Sequence, residues 1–192
     1  MFEVRIHGRG GQGVVTAAEM LSVAAFVQGR QAQAFPSFGS ERTGAPVVAY
    51  CRVDDVPIRT REPVVTPDAV IVQDATLLPL PGVLDGVRPG GCVLINSGRT
   101  AAELGLSVTG GGRLLTVPAS EIALRHLGRP LPNAVLLGGF AALSGLVSID
   151  SVAQAIAAKF AGRTATANIA AARQAFADVT RELEELADAQ AG

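Results

Sequence analysis

The chain has 192 residues, the length of one generous domain, and can bury a substantial core. Its 16 basic and 17 acidic residues nearly cancel to a net charge of −1, which leaves no broad basic field for nucleic acid. Hydrophobic residues make up 48% and charged residues 17%, yet no window offers the roughly 18 uninterrupted apolar residues of a membrane span.

In chain order, "FEVRIH" (2–7) alternates apolar and polar residues and reads as a first strand. A glycine-rich loop follows at once. "VVTAAEMLSVAAFVQG" (14–29) reads as a helix, apolar on nearly all faces and ending at Gly29. Glu19 is its only formal charge, so it is expected to be covered on both sides. "QAQAF" (31–35) reads as a second strand and "PSFGSERTGAP" (36–46) as a loop. "VVAYCRV" (47–53) is a β-branched strand, and "VPIR" (56–59) is placed to pair with it across Asp54–Asp55.

"DAVIVQD" (68–74) looks like a central parallel strand ending in an acid. "LLPLPGVLDGVRPGG" reads as a loop or broken helix, and "CVLINS" (92–97) and "RLLTVP" (113–118) as further strands. Helices follow at 119–128, at 133–147 with Asn133 as N-cap, and at 150–162 with Asp150 as cap and Gly162 as stop. A last helix runs from about Thr164 to Ala189, with Ile169, Ala172, Phe176, Val179, Leu183 and Leu186 as its apolar seam. Strand–helix alternation first and helices last predict an α/β fold: a doubly wound, mostly parallel, Rossmann-like sheet flanked by helices, with a helical C-terminus. No internal repeat or long linker divides the chain, so residues 1–192 read as a single domain.

Two cysteines, Cys51 and Cys92, form no CxxC pair, which suits a reducing cytoplasm and leaves this chain unable by itself to ligate an iron–sulfur cluster. His7 and His126 show no metal spacing, so no metal site is expected. The apolar surplus, with a mean hydropathy of +0.36, reads as surface buried against other subunits; the alternative is an alanine-rich, well-packed monomer.

The stretch "HGRGGQG" (7–13) carries the first chemistry. Gly8, Arg9, Gly10, Gly11, Gln12 and Gly13 match G-x-G-x-x-G between a strand and a helix. Glycines let backbone approach a ligand, and the helix N-terminus then offers free N–H groups to a phosphate or carboxylate. Arg9 adds a planar donor pair. No Gly-Lys-Ser/Thr follows, so this is not a Walker A loop. A nicotinamide site needs an acid at the end of the second strand, and residues 29–35 contain none. A purely structural tight turn stays open as a reading.

Ser40, Glu41, Arg42 and Thr43 lie in a Gly- and Pro-bounded loop, read either as a plain surface loop or as a second wall of the same cleft. Asn96 and Ser97 sit at the carboxyl end of another strand, where they could hydrogen-bond a ligand, with Arg99 near enough for a phosphate. Gly138 and Gly139 each cost a helix about 1 kcal/mol relative to alanine, which a close approach of another helix or subunit, or a bend, would explain.

"HGRGGQGVVTAAEMLSVAA", "FPSFGSERTGAPVVAYCRV", "PDAVIVQD", "INS", "VPASEIA" and "PNAVLLGGFA" occur in this order over nearly the whole chain. Together they resemble the gamma subunit of the 2-oxoacid:acceptor oxidoreductases, the pyruvate:ferredoxin oxidoreductase family. The resemblance implies a subunit of an enzyme converting a 2-oxoacid, coenzyme A and an oxidised acceptor into acyl-CoA, CO2 and reduced acceptor. Thiamine diphosphate, magnesium and iron–sulfur clusters would sit on partner subunits, ferredoxin or another acceptor would be met indirectly, and the isolated chain would be inactive. This subunit would contribute to coenzyme A binding and assembly. The carried-over ligand residues are the loop Gly8–Gly13, with Arg9 as phosphate contact, and Ser40, Glu41, Arg42 and Thr43 beside it. No catalytic acid, base or nucleophile can be assigned. The competing readings are a stand-alone Rossmann-type dehydrogenase and a purely structural assembly subunit.

Overall fold

A computed structural model describes residues 1–37, 43–108 and 110–191. Six strands form one mixed sheet in the order β2-β3-β1-β4-β5-β6. They are β1 (Phe2–Arg9), β2 (Gln31–Pro36), β3 (Pro46–Asp54), β4 (Ala69–Val72), β5 (Cys92–Asn96) and β6 (Arg113–Val117). The helices are α1 (Val14–Val27), α2 (Ala119–Leu127), α3 (Asn133–Ser144), α4 (Ile149–Lys159) and α5 (Gly162–Ala191). β1, β4, β5 and β6 run parallel; β3 is antiparallel to both β1 and β2. The class is the α/β one the alternation predicts, with an antiparallel pair added at one edge.

Alternation along the strands assigns the two faces. Val4, Ile6, Ala69, Ile71, Cys92, Leu94, Leu115 and Val117 join one large cluster with apolar residues from all five helices. Val70, Val72, Val93 and Ile95 point the other way, onto Leu77 and Val83 of the β4–β5 crossover and Leu104 and Leu106 of the β5–β6 crossover. Connections therefore run over both faces, but only one face is helical.

On that non-helical face β1 and β3 carry polar residues. The guanidinium of Arg5 donates from Nε to His7 Nε2 at 3.0 Å and from its two terminal nitrogens to the carbonyls of Val64, Val65, Val83 and Asp85. Arg52 pairs with Glu3 at 2.8 Å, and Arg88 pairs with both Glu3 (3.0 Å) and Asp68 (2.8 Å). This network straps the 60–88 segment across the sheet. It also accounts for the first departure from sequence: residues 56–59 form no strand. The backbone just beyond them is drawn to Arg52 instead, whose guanidinium donates to the Thr60 and Glu62 carbonyls.

The other departures are local. Asn133 is the first helical residue of α3 rather than its cap, and its Oδ1 accepts from the Ala134 amide; Pro132 holds the cap position. Helix α3 stops at Ser144, where Gly145 adopts the left-handed conformation, three residues earlier than predicted. Ser148, not Asp150, caps α4, accepting from the Ser151 amide. Gly162 opens α5 instead of stopping α4. Helix α1 is not covered all round, because Glu19, Val23, Phe26 and Val27 stay exposed.

The mid-helix glycines of α3 are explained within this chain. A Cβ at Gly138 would stand 2.0 Å from the Ala172 carbonyl oxygen, so α3 and α5 meet backbone to backbone there. The α5 seam packs on its own fold: Ala172 and Val179 are fully buried and Ile169, Phe176 and Leu183 partly so, while Leu186 is exposed.

Candidate functional site

The parallel strands end along one edge, at Arg9, Val72, Asn96 and Val117. The neighbours of β1 are β4, reached on one side, and the returning β3 on the other. Such a reversal of strand order opens a crevice at the carboxyl ends. The glycine loop fills its centre.

Gly8 is within β1, and a Cβ there would lie 2.5 Å from Val14 Cγ2, so strand and helix pack too closely for any side chain. Gly13 caps α1 at φ 72°, ψ 37°, the left-handed region, and its Cβ would strike Asn133 Nδ2 at 2.5 Å. Both backbone conformation and space demand glycine. Among the described residues no side chain caps α1; the Ala17 amide is bonded to the Gly13 carbonyl, which leaves the amides of residues 14–16 without intrahelical partners. The loop thus presents a helix N-terminus of the kind that attracts anions.

Arg9 does not reach freely into solvent. Its Nε lies 3.2 Å from Asp74 Oδ2, Nη2 donates to Thr76 Oγ1 at 2.8 Å, and Nη1 donates to the Gly44 carbonyl at 3.1 Å. Gln12 closes the loop on itself: its Oε1 accepts from the Arg9 amide at 2.7 Å and its Nε2 donates to Asp74 at 2.9 Å. Burial pushes the Asp74 carboxyl up, but hydrogen bonds from Thr76 and Gln12 and the charge of Arg9 outweigh it, so it titrates below its ordinary value.

The loop before β3 stands against the glycine loop. Thr43 bridges to Gly10, the Gly10 amide donates to the Ala45 carbonyl at 2.9 Å, and the Gly44 amide donates to the Gly10 carbonyl at 3.0 Å. Ser40, Glu41 and Arg42 lie outside the described residues.

Asn96 is fully engaged inside the protein. Its Nδ2 donates to the Gln73 carbonyl and to Ser120 Oγ, both at 2.8 Å, and its Oδ1 accepts from the Ser120 amide at 3.1 Å. It fastens β4 and the first turn of α2 to the end of β5. Ser97 Oγ accepts from the Arg99 amide, and Arg99 is exposed and turned back onto the Glu103 carbonyl.

Sequence reasoning missed two pairs of residues. Gln73 and Asp74 follow β4 directly, and their position after a parallel strand beside β1 was the available signal. Arg129 and Arg163 come from the loop after α2 and the start of α5; with Lys159 and the glycine loop they line a cleft of about 450 Å³. Lys159 pairs with Glu19, whereas neither arginine meets a carboxylate among the described residues. Nothing local marks them, because the cleft exists only where α2, α4 and α5 converge on α1.

Both thiols are buried and free, and burial pushes Cys51 up to about 12 and Cys92 to about 11, so neither is a nucleophile at neutral pH. Among the described residues, no three His, Cys, Asp or Glu side chains converge as a metal site, and no helix is long and apolar enough to cross a membrane.

The G-x-G-x-x-G loop does not head a dinucleotide site of the usual build. That unit needs strand two parallel and adjacent to strand one, with an acid at its end. Here β2 is an edge strand, antiparallel to β3 and separated from β1 by it. Fold and crevice together define an open α/β domain whose glycine loop serves an anion-attracting helix end.

The family model for pyruvate ferredoxin/flavodoxin oxidoreductase matches residues 3–177. The chain belongs to that family, as a gamma-type subunit of an oxidoreductase acting on the oxo group. It is 51% identical over 158 residues to pyruvate synthase subunit PorC of Methanosarcina barkeri, covering 82% of this chain and 86% of that one. Pyruvate oxidoreductase subunit PORC of Thermotoga maritima superposes with a TM-score of 0.80 at 35% identity, covering 91% and 94% of the two chains. The 2-oxoglutarate:ferredoxin oxidoreductase of Magnetococcus marinus, solved with 2-oxoglutarate, coenzyme A and succinyl-CoA bound, shares the fold at a TM-score of 0.73 and 17% identity. That match covers 94% of this chain and 31% of the longer one.

Proposed function

We propose that this chain is the coenzyme A-handling and assembly subunit of a pyruvate-type 2-oxoacid oxidoreductase. The full reaction joins a 2-oxoacid, coenzyme A and an oxidised acceptor to give acyl-CoA, CO2 and reduced acceptor. Thiamine diphosphate, magnesium and iron–sulfur clusters belong to partner subunits, ferredoxin or another acceptor is met indirectly, and the complex works in a reducing cytoplasm. Both cysteines here are buried singly, on β3 and β5, which fits no cluster on this chain.

The observation that carries the coenzyme A part is the cleft of about 450 Å³ beside Gly11 and Gly13. It brings together the uncapped start of α1 and two arginines without carboxylate partners among the described residues. Phosphates suit such a donor set. Arg129 and Arg163 would neutralise them and the amides at the start of α1 would orient them. Arg9, held by Asp74, Thr76 and Gly44, would keep the loop in shape. The thiol of coenzyme A takes up the acyl group on the partner subunits; this chain binds and orients.

The test is anaerobic purification of the tagged chain from its host, followed by coenzyme A-dependent viologen reduction with a panel of 2-oxoacids. Activity with pyruvate, alongside co-purifying thiamine and iron, is the expected result. An intact complex that turns over 2-oxoacids with no dependence on coenzyme A would sink the reading.

A further inference from the structure

Two asparagines in the wall of the basic cleft hold hydrogen-bonding groups that the protein does not use. Asn133 opens α3 and is 7% exposed; Asn168 lies in the second turn of α5 and is 3% exposed. Both line the cleft. Asn133 Oδ1 accepts from the Ala134 amide, and its Nδ2 lies against Gly13, another residue of the cleft wall. Asn168 Nδ2 donates to the Thr164 carbonyl at 2.9 Å, which leaves its Oδ1 over. Among the described residues, neither Asn133 Nδ2 nor Asn168 Oδ1 has a hydrogen-bond partner. Both stay open to the cleft, because the unpartnered side-chain atoms closed to solvent among those residues are the two of Gln73. Side-chain amides this deeply buried are normally fully bonded, so an accessible free half is a half that a ligand can use.

The two free groups are neighbours. Helices α3 and α5 run in the same direction: Gly138 meets the Ala172 backbone, and Ala142 and Gly145 share a groove with Phe176 and Leu183 further along. Asn133 and Asn168 each come about one turn before the Gly138–Ala172 contact, which sets a free donor beside a free acceptor. The same cleft holds Arg129, Arg163 and the start of α1, and Leu127, Leu131 and Phe160 give it an apolar wall. An adenine nucleotide matches this combination. Its base is flat and apolar on its face and carries a donating amino group next to an accepting ring nitrogen. A pantetheine amide also donates and accepts. Coenzyme A, however, carries all its phosphates on the nucleotide end, so arginines that draw the charge draw the adenine with it.

We infer that the cleft takes the adenine nucleotide end of coenzyme A, with Asn168 Oδ1 accepting from the adenine amino group and Asn133 Nδ2 donating to the ring nitrogen beside it. The inference rests on the coenzyme A reading above and deepens it by saying which end of the molecule this chain holds. The arm and its thiol are left outside the cleft, free to reach the chemistry on partner subunits. The pair also sets base specificity. A guanine presents a carbonyl where adenine has its amino group, so Asn168 Oδ1 would face another acceptor.

The test uses the intact oxidoreductase, wild type and Asn168→Leu, which keeps the volume and removes the acceptor. Four probes are titrated: coenzyme A, its etheno derivative (whose adenine amino group is tied into an added ring), adenosine 3′,5′-bisphosphate and phosphopantetheine. Wild type is expected to bind coenzyme A about tenfold more tightly than the etheno derivative. Asn168→Leu is expected to weaken coenzyme A and the bisphosphate about tenfold and to leave the etheno derivative and phosphopantetheine unchanged. Equal binding of the two coenzymes by wild type overturns the inference, and that comparison holds even if the variant does not fold. Unchanged coenzyme A binding in the variant overturns it too, as does a loss shared by phosphopantetheine, which would mark the arm or a general disturbance. Wild-type complex that fails to bind coenzyme A would instead bring down the function proposed above, and this inference with it.

Discussion

Two polar clusters sit on the same sheet, and they are built on opposite terms. The one on the non-helical face, around Arg5, His7, Arg52, Glu3 and Arg88, spends its donors inside the protein, on backbone carbonyls, the His7 ring or paired carboxylates. The one at the carboxyl ends of the strands leaves groups without protein partners among the described residues: the start of α1, the Gln73 amide, and the guanidiniums of Arg129 and Arg163. Satisfied polar clusters fix a fold, whereas groups without protein partners remain open to water or a ligand. The difference lies more in hydrogen-bond completeness than in residue type, since arginines and carboxylates stand in both clusters.

This contrast can be broken most forcefully at Arg5. Arg5→Leu leaves four carbonyls facing a buried apolar side chain; at about 1 kcal/mol each, the chain should lose roughly 4 kcal/mol in denaturant unfolding. Coenzyme A binding by the surviving folded complex should not change.

The same cluster predicts an acid sensitivity. Burial, then the neighbouring Arg5 charge, lowers His7 to about 4 from its ordinary 6.5. The folded state therefore keeps His7 neutral while the unfolded chain takes up a proton below 6.5. Stability is complete above pH 6.5 and drains as pH falls toward 4, by about 3 kcal/mol in all at ~1.4 kcal/mol per pH unit. Unfolding measured from pH 7 to 5 should show this slope in wild type and lose it in His7→Gln.

At the crevice the effects shrink for stability and grow for binding. Asn96→Ala removes the acceptor for the Ser120 amide and should cost about 1 kcal/mol, close to the loss of a helix cap. A thermal melt checks it.

Arg163→Ala marks the far end of the scale. The side chain is exposed and unpaired among the described residues, so stability should move by no more than about 0.5 kcal/mol. The KM for coenzyme A should nevertheless rise several-fold, more steeply at low salt because exposed charges are screened. Equal stability losses at Arg5 and Arg163 would erase the distinction between the clusters.

Much of the fold was legible in the sequence because it follows local periodicity. Strands β1 to β6 and helices α1 to α5 all lie where alternation or helical spacing places them, apart from end residues and the 56–59 strand. The glycine loop was legible for the same reason: Gly13 needs a left-handed backbone and cannot carry a Cβ against Asn133. The resemblance spread over the whole chain carried the family.

The local pattern could not decide which strands become neighbours. "QAQAF" after α1 looks like the second strand of a dinucleotide unit, and only the antiparallel return of β3 puts it at the sheet edge. Nor could it decide which polar residues are left without partners. Asn96 and Gln73 are both amides at strand ends; pairing across 23 or 24 residues of chain occupies the first and leaves the second bare. Sequence therefore determined the elements, the loop and the family, since backbone preference and side-chain period act over a few residues. Tertiary structure decided the sheet order, the basic cleft and the orphaned amide, because hydrogen-bond satisfaction and charge pairing depend on groups that meet only once the chain has folded.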